Sequence, residues 1–210
     1  MPKRAEALER TLRAELLGDL GNVERRIGQA LKFLQSLQDQ ARGALARFER
    51  FNAVSVVQSC VVLMRPLARK QGVGLKWETS LDVIFLQGDP NALYRLTTNV
   101  IRNAVDASAA HSDFVTVTLE QVGEALHVAV RDRGAGIPPE HLDRIFEPRF
   151  TTREFGSGDG LGLTLVRELA ETMFGGTATA KSTLGAGTLV TVVLPIPPQR
   201  RPRPETSPKG

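Results

Sequence analysis

Four stretches of this chain combine residue types that can do chemistry. The first lies within residues 89–109, which read as a helix. There Arg95, Asn99, Asn103 and Asp106 follow at steps of four, four and three, so they share one face, while Leu93, Leu96, Val100 and Ala104 share another. Two neutral amide oxygens beside a carboxylate form a hard oxygen set that suits Mg²⁺ together with water and phosphate. A solvated polar face would have the same composition. The second is Asp132-Arg133-Gly134-Ala135-Gly136-Ile137-Pro138, where a carboxylate ends a strand before two glycines. Such a carboxylate can accept an amine hydrogen of an adenine-like ring, and the glycines let backbone pass close to a flat ligand. An ordinary tight turn is the plainer alternative. The third is the glycine-rich run 156–163, leading into a helix. Backbone N–H groups at such a helix start attract phosphate. It is neither a Walker loop nor a dinucleotide fingerprint. The fourth, residues 145–153, places Phe146 and Phe150 as anchors of a lid and Arg153 within reach of a terminal phosphate. Core packing and a solvated charge are the alternatives for these three.

The elements that must hold these stretches can be read from periodicity and punctuation. Residues 55–70 read as a helix, 73–79 and 83–86 as strands, and Asp89-Pro90 as a helix start with a carboxylate cap. Residues 114–121 and 125–132 form a hairpin-like pair. A helix over 164–173 and strands over 177–182 and 188–194 follow. The expected fold class is α+β: an α/β sandwich with a mixed, largely antiparallel sheet and helices on one face. Residues 3–52 read as a long helical arm. From Leu20 a heptad runs through Ile27, Leu34, Ala41 and Phe48, with Val23, Ala30, Leu37, Ala44 and Phe51 beside it. Three parts are expected: a dimerising helical arm over 1–52, a domain over 53–197, and a disordered Pro/Arg-rich tail over 198–210.

Composition narrows the classes. The chain has 210 residues, 27 Lys plus Arg against 23 Asp plus Glu, and 41% hydrophobic residues, which argues for a folded protein. One Trp and one Tyr leave little for a base-stacking surface, so nucleic-acid binding is not expected. No apolar run is long enough for a membrane span, and residues 1–10 lack the apolar core of a secretory signal. A cytoplasmic protein without membrane contact is the expectation. The single cysteine, Cys60, excludes an internal disulfide and reads as a buried small hydrophobe.

In this order, the stretches NVIRNAVDAS, DRGAGIP, IFEPRFTT and GDGLGL resemble the N, G1, F and G2 boxes of the histidine-kinase ATP-binding domain, within the gyrase–Hsp90–kinase–MutL superfamily. The closing GGTATAKSTLGAGTLVTVVLP is similar to the last two strands of that family. The resemblance spans about residues 53–196. It implies a Bergerat-type fold and a pocket for ATP and Mg²⁺. Asn103, with Asn99, would hold the metal. Asp132 would bind adenine, and Gly134 and Gly136 would line the base pocket. Gly158, Gly160, Leu161, Gly162 and Leu163 would form the phosphate loop. Asp106, Phe146 and Thr188 are counted with the nucleotide-binding residues, and Asn103 and Arg153 with the catalytic ones.

Two departures refine this. ATPase members carry a glutamate four residues before the key asparagine, and here that residue is Asn99. An amide cannot take a proton as a carboxylate does, which points to the histidine-kinase branch. The family's arm bears a phosphoacceptor histidine, but residues 1–52 contain none; His111, His127 and His141 all lie later. The expected function is therefore transfer of the γ-phosphoryl group of ATP to a histidine on a partner chain. The expected partners are a second copy of the chain, held through the arm, and a histidine-bearing kinase, phosphotransferase or response regulator. The alternative is a non-catalytic ATP-binding regulatory module.

Overall fold

The computed structural model describes residues 48–109, 114–150 and 160–197. The elements, in chain order, are β1 (Glu49–Asn52), α1 (Ala53–Lys70), β2 (Gly74–Thr79), β3 (Phe85–Gly88) and α2 (Pro90–Ser108), then β4 (Phe114–Val122), β5 (Ala125–Arg131), α3 (Pro139–Leu142), α4 (Gly162–Phe174), β6 (Thr177–Thr183) and β7 (Gly187–Pro195). The main sheet has the order β2-β4-β5-β7-β6. Only β2 and β4 run parallel, because the chain between them crosses over through α2. The other neighbours are antiparallel. The expected α+β sandwich, mixed and largely antiparallel, is the observed architecture.

Alternation decides which sheet face is covered. Val115, Val117 and Leu119 of β4, Leu126, Val128 and Val130 of β5, and Val190, Val192 and Leu194 of β7 are buried, while their neighbours face outward. The inner faces of α1, α2 and α4 close over them with Val57, Val61, Leu93, Leu96, Ile101 and Val166. Burial of each such side chain contributes about 1.5–3 kcal/mol relative to exposure. Cys60 lies in this core, and burial pushes its thiol up to about 12.

Caps fix where the helices begin. The Asn52 side chain accepts from the Val54 N–H at the start of α1, and Asp89 accepts from the Asn91 N–H at the start of α2, with Pro90 in the first turn. Gly175 closes α4 in a left-handed conformation.

One expectation is corrected. The helix read over 3–52 does not extend through 49–52, which form β1 and pair antiparallel with β3. Phe51 sits opposite Leu86 and meets Phe174 edge-on at 6.4 Å. Its apolar side chain serves the domain core, not a helical seam. The rest of the arm, and the tail over 198–210, lie outside the described residues.

Candidate functional site

Period two brings one carboxylate and two hydroxyls to the same end of the sheet. Asp132 follows Leu126, Val128 and Val130 in step, so it lies on the helix-covered face just past β5. Thr188 starts the buried series of β7, and Ser182 is its register partner on β6. The Asp132 N–H donates to the Thr188 carbonyl at 2.9 Å. One carboxylate oxygen, Oδ1, accepts from the Gly134 N–H at 2.9 Å and from the Thr188 N–H at 3.1 Å. The other, Oδ2, has no hydrogen-bond partner among the described residues and is not sealed from solvent. Asp132 is 5% exposed. Burial raises its pKa above the usual carboxylate value, and the two N–H donors offset part of that rise. The site therefore holds a fixed, buried acceptor with one oxygen aimed at open space, which suits a ligand amine.

The glycines after Asp132 have a reason that the sequence does not disclose. A Cβ on Gly134 would lie 2.2 Å from the carbonyl oxygen of Ala107 in α2. A Cβ on Gly136, whose φ is +70°, would lie 2.1 Å from the carbonyl oxygen of Thr183. These two residues let the loop press against the chain's own backbone on both sides. The close approach that these glycines permit here is to α2 and the β6–β7 turn.

A second constellation forms where α4 begins. The asparagines and the glycine run, far apart in sequence, meet there. A Cβ on Gly162 would stand 3.4–3.6 Å from the amide atoms of Asn103 and Asn99. The Asn99 side-chain N–H donates to the Arg95 carbonyl at 2.7 Å, so its amide oxygen is the free end. The Asn103 amide has no hydrogen-bond partner among the described residues. No side chain of a described residue caps α4, so among these residues nothing occupies its first N–H groups, which can meet an anion. Oxygen donors and bare helix N–H groups side by side can hold a metal–phosphate pair. Among the described residues no group of three or more His, Cys, Asp or Glu side chains could hold a metal without such a ligand.

The remaining expected residues separate. Asp106 accepts from the Gln71 side chain at 3.1 Å and ties α2 to the end of α1. Phe146 is buried, with the Arg167 guanidinium 4.5 Å above its ring, so it fastens its loop to α4. Phe150 packs edge-on against His141 at 5.3 Å. The Arg149 N–H donates to the Gly160 carbonyl at 3.1 Å, and the Thr164 hydroxyl donates to the Glu147 carbonyl at 3.0 Å. Leu161 is exposed and Leu163 half-buried at the start of α4. Thr188 is buried beside Asp132. Gly158, Arg153 and His111 lie outside the described residues. Among the described residues, surface grooves elsewhere include one of about 260 Å³ between Ser59 and Tyr94 and one of about 350 Å³ between Phe48 and Phe174; neither of these is lined by a motif residue.

Gly162 yields a prediction that separates binding from folding. Alanine at that helical position meets only ordinary van der Waals distances. Helix propensity favours it by up to about 1 kcal/mol. Gly162→Ala is expected to melt no lower than the wild type yet bind Mg²⁺–ATP several-fold more weakly, because the methyl group takes up space beside both amides that a bound ligand would need. Thermal melts and calorimetric titration on one preparation check both parts.

Ser182 was not singled out by residue type. It accepts from the Ile137 N–H and donates to the Gly187 carbonyl, both at 2.8 Å, and stands 2.9 Å from the Thr188 hydroxyl. Its spacing from Thr188 across a short turn was the available signal.

Known proteins resemble this chain in sequence and fold. Residues 88–198 match the family described as histidine kinase-, DNA gyrase B-, and HSP90-like ATPase. Histidine protein kinase DivJ of Caulobacter vibrioides is 32% identical over 87% of this chain and 30% of its own length. Sensor histidine kinase ZraS of Klebsiella oxytoca is 29% identical over 81% of this chain and 36% of its own. The chain thus spans about a third of the curated relatives it matches. Among solved structures, the nucleotide-free catalytic domain of histidine kinase ThkA superposes with a TM-score of 0.64 at 26% identity, over 71% of this chain and 96% of that one. Full-length ShkA in complex with AMPPNP gives 0.63 at 26% identity, over 71% of this chain and 31% of that one. The match covers more than half of the sequence and includes both constellations, so the chain belongs to the family of histidine kinase-, DNA gyrase B- and HSP90-like ATPases.

Proposed function

We propose that this chain is the ATP-binding core of a two-component-type histidine kinase, passing the γ-phosphoryl group of ATP to a histidine on a partner chain. The observation that carries the reading is the meeting of Asn99, Asn103 and the bare start of α4 at Gly162. The open carboxylate oxygen of Asp132 supports a base pocket for adenine, whose amine can donate to it. Asn103 and Asn99 would hold Mg²⁺, and Asp106 would act through its tie to Gln71. Mg²⁺ supplies charge neutralisation on the phosphates. The first N–H groups of α4, with Gly158, Gly160, Leu161, Gly162 and Leu163, would orient the phosphate chain. Arg153 would reach the terminal phosphate, and Phe146 would hold the preceding loop. Asn99 takes no proton from water, which disfavours hydrolysis and leaves an imidazole as the nucleophile.

The reading keeps residues 1–52 up to the start of β1 as a dimerising arm, on the strength of their heptad, and 198–210 as a tail. It places the chain in the cytoplasm. No helix among the described residues is long and apolar enough to cross a membrane.

The experiment supplies γ-labelled ATP, Mg²⁺ and a purified histidine-bearing dimerisation domain of a two-component kinase. Acid-labile, alkali-stable label on that domain is the expected result, with loss of label and weaker Mg²⁺–ATP binding in Asn103→Ala. Unchanged Mg²⁺–ATP affinity in that variant would overturn the metal assignment. ATP binding without any transfer would favour the regulatory module, a reading that the histidine-free sequence of residues 1–52 also supports.

A further inference from the structure

We infer that Ser182 is a positioning residue that sets which purines the site accepts, by fixing the direction of the Thr188 hydroxyl. The inference rests on the nucleotide reading above. Ser182 has one hydroxyl proton and sits among three polar groups. The Ile137 N–H is a donor at 2.8 Å and takes an acceptor position on Oγ. The Gly187 carbonyl, also at 2.8 Å, can only accept, so it receives the Ser182 proton. The third neighbour is the Thr188 hydroxyl at 2.9 Å. With the Ser182 proton already committed, Thr188 must donate to Ser182. What Thr188 Oγ1 then offers to anything else is lone pairs alone.

That has a consequence one residue away. Thr188 is bonded through its backbone to Asp132, whose Oδ2 is the open carboxylate oxygen. The two acceptors thus belong to residues that are hydrogen-bonded to each other at this end of the sheet. A purine with an amino group at position 6 brings N–H donors to them. A purine with a keto group there brings an acceptor and leaves buried oxygens facing one another. Without Ser182, the Thr188 hydroxyl is free to rotate and donate to a 6-keto oxygen, which offsets part of the repulsion from Asp132 Oδ2. Ser182 also bonds Ile137 and Gly187, so its loss disturbs the loop in addition. The ratio of two nucleotides that differ only in the base separates these effects, because loosening the loop weakens both alike.

The test measures ATP and inosine triphosphate binding by calorimetric titration. The wild type is expected to prefer ATP. Ser182→Ala should cut the ATP-to-inosine-triphosphate affinity ratio at least about fivefold, chiefly by a gain for inosine triphosphate, and Ser182→Thr should keep it. Thr188→Val should also lower the ratio, and Ser182→Ala should change it no further in that background. Parallel weakening of both nucleotides with an unchanged ratio in Ser182→Ala would overturn the inference. Should Ser182→Ala fail to fold, an unchanged ratio in Thr188→Val does the same. A wild-type chain that binds neither nucleotide would overturn the nucleotide reading itself, which is a distinct result.

Discussion

Asp132→Asn is expected to weaken ATP binding roughly 10- to 100-fold while leaving the fold intact, the span that follows from losing a hydrogen bond to a charged group. The asparagine oxygen can still accept from the Gly134 and Thr188 N–H groups, so the loop stays anchored. Its amide nitrogen replaces the open carboxylate oxygen, and a donor then faces the amine of the base. Stability should move the other way. Desolvation raises the Asp132 pKa in the folded state, so folding favours the protonated acid. Below the usual carboxylate range the two proteins differ little from this cause. As pH rises through the raised value, the wild type must bury a charge that the asparagine variant lacks. Asp132→Asn should therefore melt at or above the wild-type temperature at neutral pH. By the same sign, wild-type ATP affinity should fall as pH drops through that raised value, because Oδ2 gains a proton. Binding titrations and melts across pH check the three statements together.

The largest expected loss of stability comes from Gly136→Ala. Its Cβ would sit 2.1 Å from the Thr183 carbonyl oxygen and 2.9 Å from Leu184 Cα, both backbone atoms. Backbone cannot rotate away, so the β6–β7 turn must move. The φ of +70° adds strain of about 1–2 kcal/mol for a residue with a side chain. Overlap of this kind adds about 1–3 kcal/mol. A total of about 2–5 kcal/mol should lower the melting temperature by roughly 5–20 °C in a domain of this size. Gly185→Ala is the control, since Gly185 shares a positive φ of +75° but has nothing within 4 Å of its Cβ. It should show the conformational strain alone. Equal melting temperatures for the two variants would contradict this explanation of Gly136.

The parts of the fold that were legible in the sequence are those set by local rules. Period-two runs gave the strands, and Asp89-Pro90 marked the start of α2. The four motifs stood out because each combines unusual residues at close spacing. What stayed hidden depends on pairing between distant segments. Phe48 and Phe51 extend the heptad of residues 20–47, but partnership with Leu86 and Phe174 makes 49–52 a strand. No local pattern distinguishes those outcomes. Asp106 shares a face with the asparagines, yet Gln71, 35 residues earlier, engages it. Gly134 and Gly136 were visible as special positions, but the carbonyls they avoid belong to Ala107 and Thr183. Ser182 gained its place only through the β6–β7 register, which sets it opposite Thr188.

The most direct measurement is calorimetric titration of the 210-residue chain with ATP, in the presence and absence of Mg²⁺. The site built by Asp132, Asn99, Asn103 and the start of α4 predicts saturable one-to-one binding that tightens with Mg²⁺, the Mg²⁺-dependent gain being lost in Asn103→Ala. Absence of saturable binding by the folded wild-type chain, or a Mg²⁺ effect that survives Asn103→Ala, would contradict it.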